Sequence, residues 1–170
     1  MKNIIMQSKR FYLKSLTKDH VTTNYVDWFN NPAGNEYINY AKQSRSVSEL
    51  RDYVNEKAID KKVLFLGIFD KENNIHIGNI KYEPIDFFKF SAVMGILIGE
   101  ETYRGIGVAS EVIKTSSRWL YENHKINTIE LCVDCANVNA IKAYEKCGFF
   151  ISDKVNPDLT IKWFEMHTNI

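Results

Sequence analysis

The chain has 170 residues, 45% apolar and 25% charged, with 22 basic residues against 21 acidic ones and a formal net charge of +1. At roughly 100–200 residues per domain, this length fits one domain over residues 1–170, large enough to bury a core, with an ordinary globular composition. The near-zero charge leaves no bulk field for nucleic acid or an anionic membrane, and no apolar run approaches the ~20 residues of a membrane span. The opening MKNIIMQSKR lacks the apolar stretch of a signal peptide. These features predict a cytoplasmic chain that binds neither nucleic acid nor membrane.

Residues 10–16 (RFYLKSL) alternate as a first strand. Thr17 or Asp19 then caps a helix through Phe29, ended by Asn30-Asn31-Pro32-Ala33-Gly34. Ser46 or Ser48, with Glu49 beyond, opens a second helix to Ile59. Strands at 63–70 and 75–83 are joined by Lys71-Glu72-Asn73-Asn74 as a hairpin, and Pro84 closes that unit. The nearly all-apolar run 92–98 predicts a strand buried on both faces. Ala109, Val112, Ile113, Ser116 and Leu120 then recur at helical spacing over 105–123. Another strand follows at 128–133. Ala140, Ile141 and Tyr144 mark a short helix stopped by Gly148, and 149–151 and 160–167 read as the last strands. An apolar strand leading directly into a long helix is one arm of an α/β unit.

Three cysteines, an odd number, argue against a disulfide framework. Cys132 and Cys135 form a C-x-x-C, but no second pair completes a four-ligand zinc site, and the motif sits late in the fold for a redox centre. Reduced thiols and no metal are expected.

The chemistry concentrates in Glu100-Glu101-Thr102-Tyr103-Arg104-Gly105-Ile106-Gly107-Val108-Ala109, which joins the most apolar strand to the longest helix. Two glycines there let the backbone approach a partner closely. Unpaired N–H groups at a helix start, reinforced by the helix dipole, form an anion site suited to a phosphate or pyrophosphate, and Arg104 can add a charged contact. Alone, G-x-G equally describes a tight turn and close helix packing. The chain has no P-loop, and Ser110 stands where a dinucleotide fingerprint needs a third glycine.

A second segment, Asn137-Val138-Asn139-Ala140-Ile141-Lys142-Ala143-Tyr144-Glu145-Lys146-Cys147-Gly148-Phe149, follows downstream. Together the two segments resemble the GNAT superfamily of acetyl-CoA-dependent N-acetyltransferases, whose patterns are R/Q-x-x-G-x-G/A and N-x-x-A-x-x-x-Y-x-K-x-G-F. Leu16-Thr17-Lys18-Asp19, Trp28-Phe29-Asn30-Asn31-Pro32, His76-Ile77-Gly78-Asn79-Ile80 and the run from Tyr103 to Glu111 look like the branch of ribosomal-protein N-terminal acetyltransferases. That branch also includes enzymes similar to nucleotide-linked amino-sugar N-acetyltransferases. The resemblance implies an α/β (α+β) fold with a mixed, mostly antiparallel sheet of six to seven strands and about four helices on both faces.

It further implies that acetyl-CoA is held by the backbone of Ile96, Leu97 and Ile98 along a splayed strand. The amides of Arg104, Gly105, Ile106, Gly107, Val108 and Ala109 would hold the pyrophosphate. Thr102 stands where the pattern often has Arg or Gln, so one phosphate contact is expected to be missing. Asn137 matches a residue that touches the pantetheine, and it is equally a helix cap. Tyr144 matches the general acid for the leaving thiolate. Many relatives carry a Glu where this chain has Val93, so no base is assigned. Glu100, Glu83, Asp134, His76 and a water chain stay open, with His76 between Ile75 and Ile77 expected to face solvent. Trp28, Glu36 and Tyr37 are candidates for the acceptor pocket, although Tyr25, Trp28, Phe29, Tyr37 and Tyr40 also read as core aromatics. The expected acceptor is a primary amine, either a protein N-terminus or a small amine such as a nucleotide-linked amino sugar. A catalytically silent acyl-CoA sensor is the alternative, and a homodimer through the last strands is left open.

Overall fold

Apolar side chains two residues apart in successive segments, Leu66 and Ile68, Ile80 and Tyr82, Ile129 and Leu131, can be buried together only if those segments pair edge to edge. The computed structural model describes residues 3–30, 45–154, 158 and 160–168. In chain order the elements are β1 (Ile5–Gln7), β2 (Phe11–Ser15), α1 (Thr23–Asn30), α2 (Val47–Ile59), β3 (Leu64–Asp70), β4 (His76–Asp86), β5 (Ser91–Ile98), α3 (Val108–His124), β6 (Thr128–Asp134), α4 (Val138–Lys146), β7 (Phe150–Ile151) and β8 (Ile161–His167). They build one sheet in the order β1-β2-β3-β4-β5-β6-β8-β7. Every neighbouring pair is antiparallel except β5–β6, which runs parallel.

Each face of the sheet buries its own cluster. Met94, Val112, Ile113, Leu120, Ile129 and Phe164 belong to the cluster under α3 and α4. Leu16, Tyr25, Leu50, Val54, Phe65 and Leu97 belong to the cluster under α1 and α2. A buried polar pair pins each helix layer to β4. The Tyr82 and Ser116 hydroxyls lie 2.8 Å apart on the α3 side. On the other side the Asn79 amide donates to the Tyr25 hydroxyl at 3.3 Å. Each such bond is worth about 1 kcal/mol net, and more if one partner were left unpaired.

The sheet has eight strands where six to seven were expected. The extra one is β1, whose three residues are too few to display alternation, with only Met6 buried. Thr17 caps a 3-10 turn over Lys18–His20, and α1 begins later, at Thr23. Ser46 caps α2 as expected, in a reciprocal pairing with Glu49. Pro84 does not close β4, which runs on to Asp86. The ladder to β5 shifts register between Tyr82 and Ile85, so proline falls at a bulge, where its missing N–H leaves no gap in the pairing. The run 92–98 is not buried on both faces: Val93, Ile96 and Ile98 are half-exposed and Gly95 is exposed.

Candidate active site

The exposure of β5 follows from where its pairing stops. Ser91, Ala92 and Val93 pair with Thr128, Ile129 and Glu130, and there the β5–β6 ladder ends. Beyond it, β5 continues on β4 alone through Ile98, while β6 continues on β8 through Asp134. A V-shaped cleft opens between the two strands. The Gly99 N–H donates to Ile77 O at 2.9 Å. By the alternation of an antiparallel ladder, the backbone groups of Ile96 and Ile98 therefore point away from β4, into the cleft. The Leu97 backbone faces β4, and its side chain packs in the cluster under α1 and α2.

At its open end the cleft meets the glycine loop. Gly105 and Gly107 have φ of 74° and 82°, a region that L side chains rarely adopt, so both glycines are required by the backbone. Gly107 is the N-cap of α3, and the helix proper starts at Val108 instead of the expected position 105. The first bond into the helix runs from Glu111 N–H to Gly107 O, which leaves Val108, Ala109 and Ser110 without intrahelical acceptors. Among the described residues the amides of Gly105, Ile106 and Gly107 find no acceptor either, whereas the Arg104 N–H is taken by Glu101 O. A row of unpaired donors at a dipole's positive end fits a pyrophosphate. The Arg104 side chain does not project toward that row. Its Nε and Nη2 donate back to the carbonyls of Ile98 and Gly99 at 2.9 and 3.0 Å.

Beyond β6, Asn137 caps α4, its Oδ1 accepting from Ala140 N–H at 3.1 Å. Its N–H donates to Asp134 O, so the side-chain Nδ2 is the group left to meet a ligand. Tyr144, on the same short helix, is packed against the α3-side cluster. Burial, with the Cys147 and Cys132 thiols nearby, pushes its phenol up to about 12. All three cysteines are free thiols: Cys132 exposed, Cys135 half-buried and Cys147 buried. Among the described residues no group of three His, Cys, Asp or Glu is placed to hold a metal ion.

Trp28 closes the tip of β5. A Cβ on Gly99 would lie 2.0 Å from the Trp28 indole, so the ring rests directly on that glycine. The indole N–H donates to Glu100 Oε1 at 3.1 Å, and the Asn24 amide reaches the same oxygen at 2.6 Å. Trp28 is 6% exposed, a buried wall rather than an open contact surface. Glu36, Tyr37 and Tyr40 lie outside the described residues.

The other titratable candidates are largely committed. Both Glu83 oxygens are ion-paired, to Lys57 at 2.7 Å and Lys81 at 2.6 Å. Burial would raise its carboxyl, but the two ammonium groups hold it below the usual carboxylate range. Asp134 Oδ1 accepts from Ala136 N–H in the turn leading to α4. His76 does not face solvent. Its ring stacks on Phe69 at 4.6 Å and meets the edge of Trp28 at 5.0 Å, with Nε2 buried and unpartnered. Burial, and secondarily His20, lowers its pKa from 6.5 to about 4. One residue carries no signal in the sequence: Glu130, two strands from β4, stands register-opposite Val93 at the apex of the V. It is on the sheet face that α1 and α2 leave uncovered, 13% exposed, with Oε1 2.6 Å from the Lys154 ammonium. Only the parallel pairing reveals it.

A backbone cleft ending on a helix N-terminus defines a class, that of proteins binding an extended chain with an anionic tail. The family described as Acetyltransferase (GNAT) domain matches residues 10–150, and the chain belongs to it: an N-acetyltransferase with acetyl-CoA as its donor. No curated protein sequence matches. Solved structures share the fold. A ribosomal-protein alpha-N-acetyltransferase, RimL, in complex with coenzyme A superposes with a TM-score of 0.83 at 15% identity, covering 96% of this chain and 98% of that one. A spermidine N-acetyltransferase from Vibrio cholerae, with CoA and spermine, gives 0.79 at 20% identity, covering 94% and 96%. A GNAT-family acetyltransferase from Bacillus anthracis gives 0.80 at 15% identity, covering 98% and 100%.

Proposed function

We propose that this chain, as one domain over residues 1–170, moves the acetyl group of acetyl-CoA onto a primary amine by direct attack within a ternary complex. The observation that carries the reading is the continuity of the open β5 backbone with the orphan amides of α3; Tyr144, on the helix that follows β6, supplies the phenol in this reading. The pyrophosphate would lie on the amides of residues 105–109, and the pantetheine along Ile96 and Ile98 with Asn137 opposite. The amine nitrogen adds to the thioester carbon, and the developing oxyanion accepts a hydrogen bond from a strand amide. The C–S bond then breaks, Tyr144 donating a hydrogen bond to the departing thiolate. The proton lost by the attacking nitrogen goes to Glu130 or to water, and the thiolate takes a proton from water, so that CoA leaves as the thiol.

The acceptor enters from the uncovered face of β6 and β8, where Glu130 is paired in register with Glu165 and Trp163 with Cys132. The Lys154 ammonium already rests on Glu130 and 5.2 Å over the Trp163 ring, which supports recognition of a cationic amine there. Either a protein N-terminus or a small amine such as a nucleotide-linked amino sugar satisfies that chemistry. The free thiols fit a cytoplasmic setting. The test is CoA release, followed chromatographically, against ribosomal N-terminal peptides, a polyamine, an aminoglycoside and a nucleotide-linked amino sugar. Turnover with one class supports the reading and identifies the acceptor. Acetyl-CoA that binds and is consumed with none of them argues instead for a silent acyl-CoA sensor.

A further inference from the structure

The glycine loop is poorly supplied with positive charge. Over residues 100–109 the sequence offers Glu100 and Glu101 against Arg104 alone. Arg104 is bonded to the strand carbonyls, and Glu111 adds a further carboxylate in the first turn of α3. Orphan amides alone would have to hold a doubly charged pyrophosphate beside those carboxylates.

The missing cation comes from the start of β2. Arg10 donates its backbone N–H to Glu111 Oε1 at 2.6 Å and its Nε to Glu111 Oε2 at 2.8 Å. Burial would raise the Glu111 carboxyl, but the Arg10 amide, the Ser8 hydroxyl and the Arg10 guanidinium hold it below its ordinary value. This clasp fixes the guanidinium so that Nη2 lies 3.8 Å from where a Cβ on Gly107 would stand. Neither Nη has a hydrogen-bond partner among the described residues, and the side chain is 39% exposed.

We propose that Arg10 is the phosphate-binding cation of this site, held in place by Glu111 and directing its free Nη donors at the pyrophosphate on the α3 amides. The inference rests on the acetyl-CoA reading above. It also gives Glu111 two functions, neutralised by Arg10 and aiming it. A guanidinium with two free donors suits a phosphate oxygen pair better than an ammonium does.

The experiment measures Kd for CoA and for pantetheine, which lacks the phosphates, by calorimetry at two salt concentrations. Arg10→Gln should weaken CoA about tenfold, the scale of one lost charge-assisted bond, and flatten the salt dependence. Pantetheine binding should not change. Arg10→Lys, which keeps the charge and the backbone bond to Glu111 but loses the Nε contact, should recover part of the affinity. Glu111→Gln, which loosens the clasp on the guanidinium, should weaken CoA binding and leave pantetheine binding unchanged. Unchanged CoA affinity in Arg10→Gln, an equal loss for pantetheine, or Arg10→Lys no better than Arg10→Gln would overturn the assignment. If the Arg10 variants do not fold, CoA binding by Glu111→Gln that is unchanged or tighter overturns it on its own. A wild-type protein that fails to bind CoA removes the acetyl-CoA reading itself, a result separable from all of these.

Discussion

Tyr144→Phe deletes one oxygen from a side chain already packed against the α3-side cluster, so the variant should fold as the parent does. The size of its effect follows from the phenol's environment. Burial has pushed Tyr144 up to about 12, while an ordinary cysteine-like thiol sits near 8.5. Moving the proton fully from phenol to departing thiolate is thus uphill by about 3.5 units, or about 5 kcal/mol. The phenol can stabilise the sulfur by hydrogen bonding without surrendering its proton. A hydrogen bond to a charged group is worth about 1.5–3 kcal/mol, which corresponds to a fall in kcat of roughly 10- to 150-fold. CoA affinity should change by less than about threefold, because the bond strengthens only as charge develops on sulfur. The assay is single-turnover and steady-state CoA release with whichever acceptor is identified, alongside calorimetric CoA binding. A kcat within twofold of wild type, or a loss carried wholly in CoA affinity, would refute the reasoning.

Gly99→Ala puts a methyl 2.0 Å from the Trp28 indole, which must move and give up its bond to Glu100. We expect a cost of about 1–3 kcal/mol, seen as a Tm lowered by about 3–10 °C with a shift in tryptophan fluorescence; an unchanged Tm would contradict the packing. His76 has a folded pKa of about 4 against an ordinary 6.5. The unfolded chain therefore binds more protons in that window, and stability falls as pH drops from 6.5 toward 4, by at most about 3 kcal/mol. His76→Phe preserves the stacking on Phe69, so its Tm should decline less between pH 7 and pH 4.5 than that of wild type; an identical decline would discount the buried imidazole. Glu130→Gln should lower kcat/KM for a cationic acceptor about tenfold with the KM for acetyl-CoA unaltered. Equal acceptor kinetics would remove Glu130 from the amine's path.

What the sequence made legible is what local backbone chemistry dictates. The pair Gly105 and Gly107 reads as a tight turn or close backbone approach at a helix start, and both residues take the positive φ that glycine permits. Ser46 with Glu49 announces a helix start, and the reciprocal cap is present. The order of elements from β2 onward followed from periodicity together with turn and cap signals. What stayed hidden depends on contacts between distant segments. Arg10 and Glu111 are 101 residues apart, and nothing in either neighbourhood signals the clasp. Pro84 reads as a terminator because only the register of the neighbouring strand shows the bulge that accommodates it. The run 92–98 reads as doubly buried because its hydrophobicity does not reveal that β6 leaves it after three residues. His76 looked like a solvent-facing alternation partner, yet its ring is enclosed by aromatics from β3 and α1.

Cleft and anion site share one topological cause. β5 and β6 are the sheet's parallel pair, and parallel strands must be joined by a crossover, here α3. A crossover helix begins where the strand before it ends, so its positive N-terminus lies at the carboxyl end of β5. The ladder lapses toward that same end, which leaves unpaired strand groups and helix amides at one end of the sheet. In the proposed donor site most contacts are backbone groups, with Arg10 as the added cation. That explains how a loop with Thr102 and a turned-away Arg104 can keep the architecture seen in structures at 15–20% identity. The acceptor side has no such backbone rule. In the proposed reading it is built from Glu130, Trp163 and Lys154, and replacing those side chains should change what is acetylated while leaving the donor site intact.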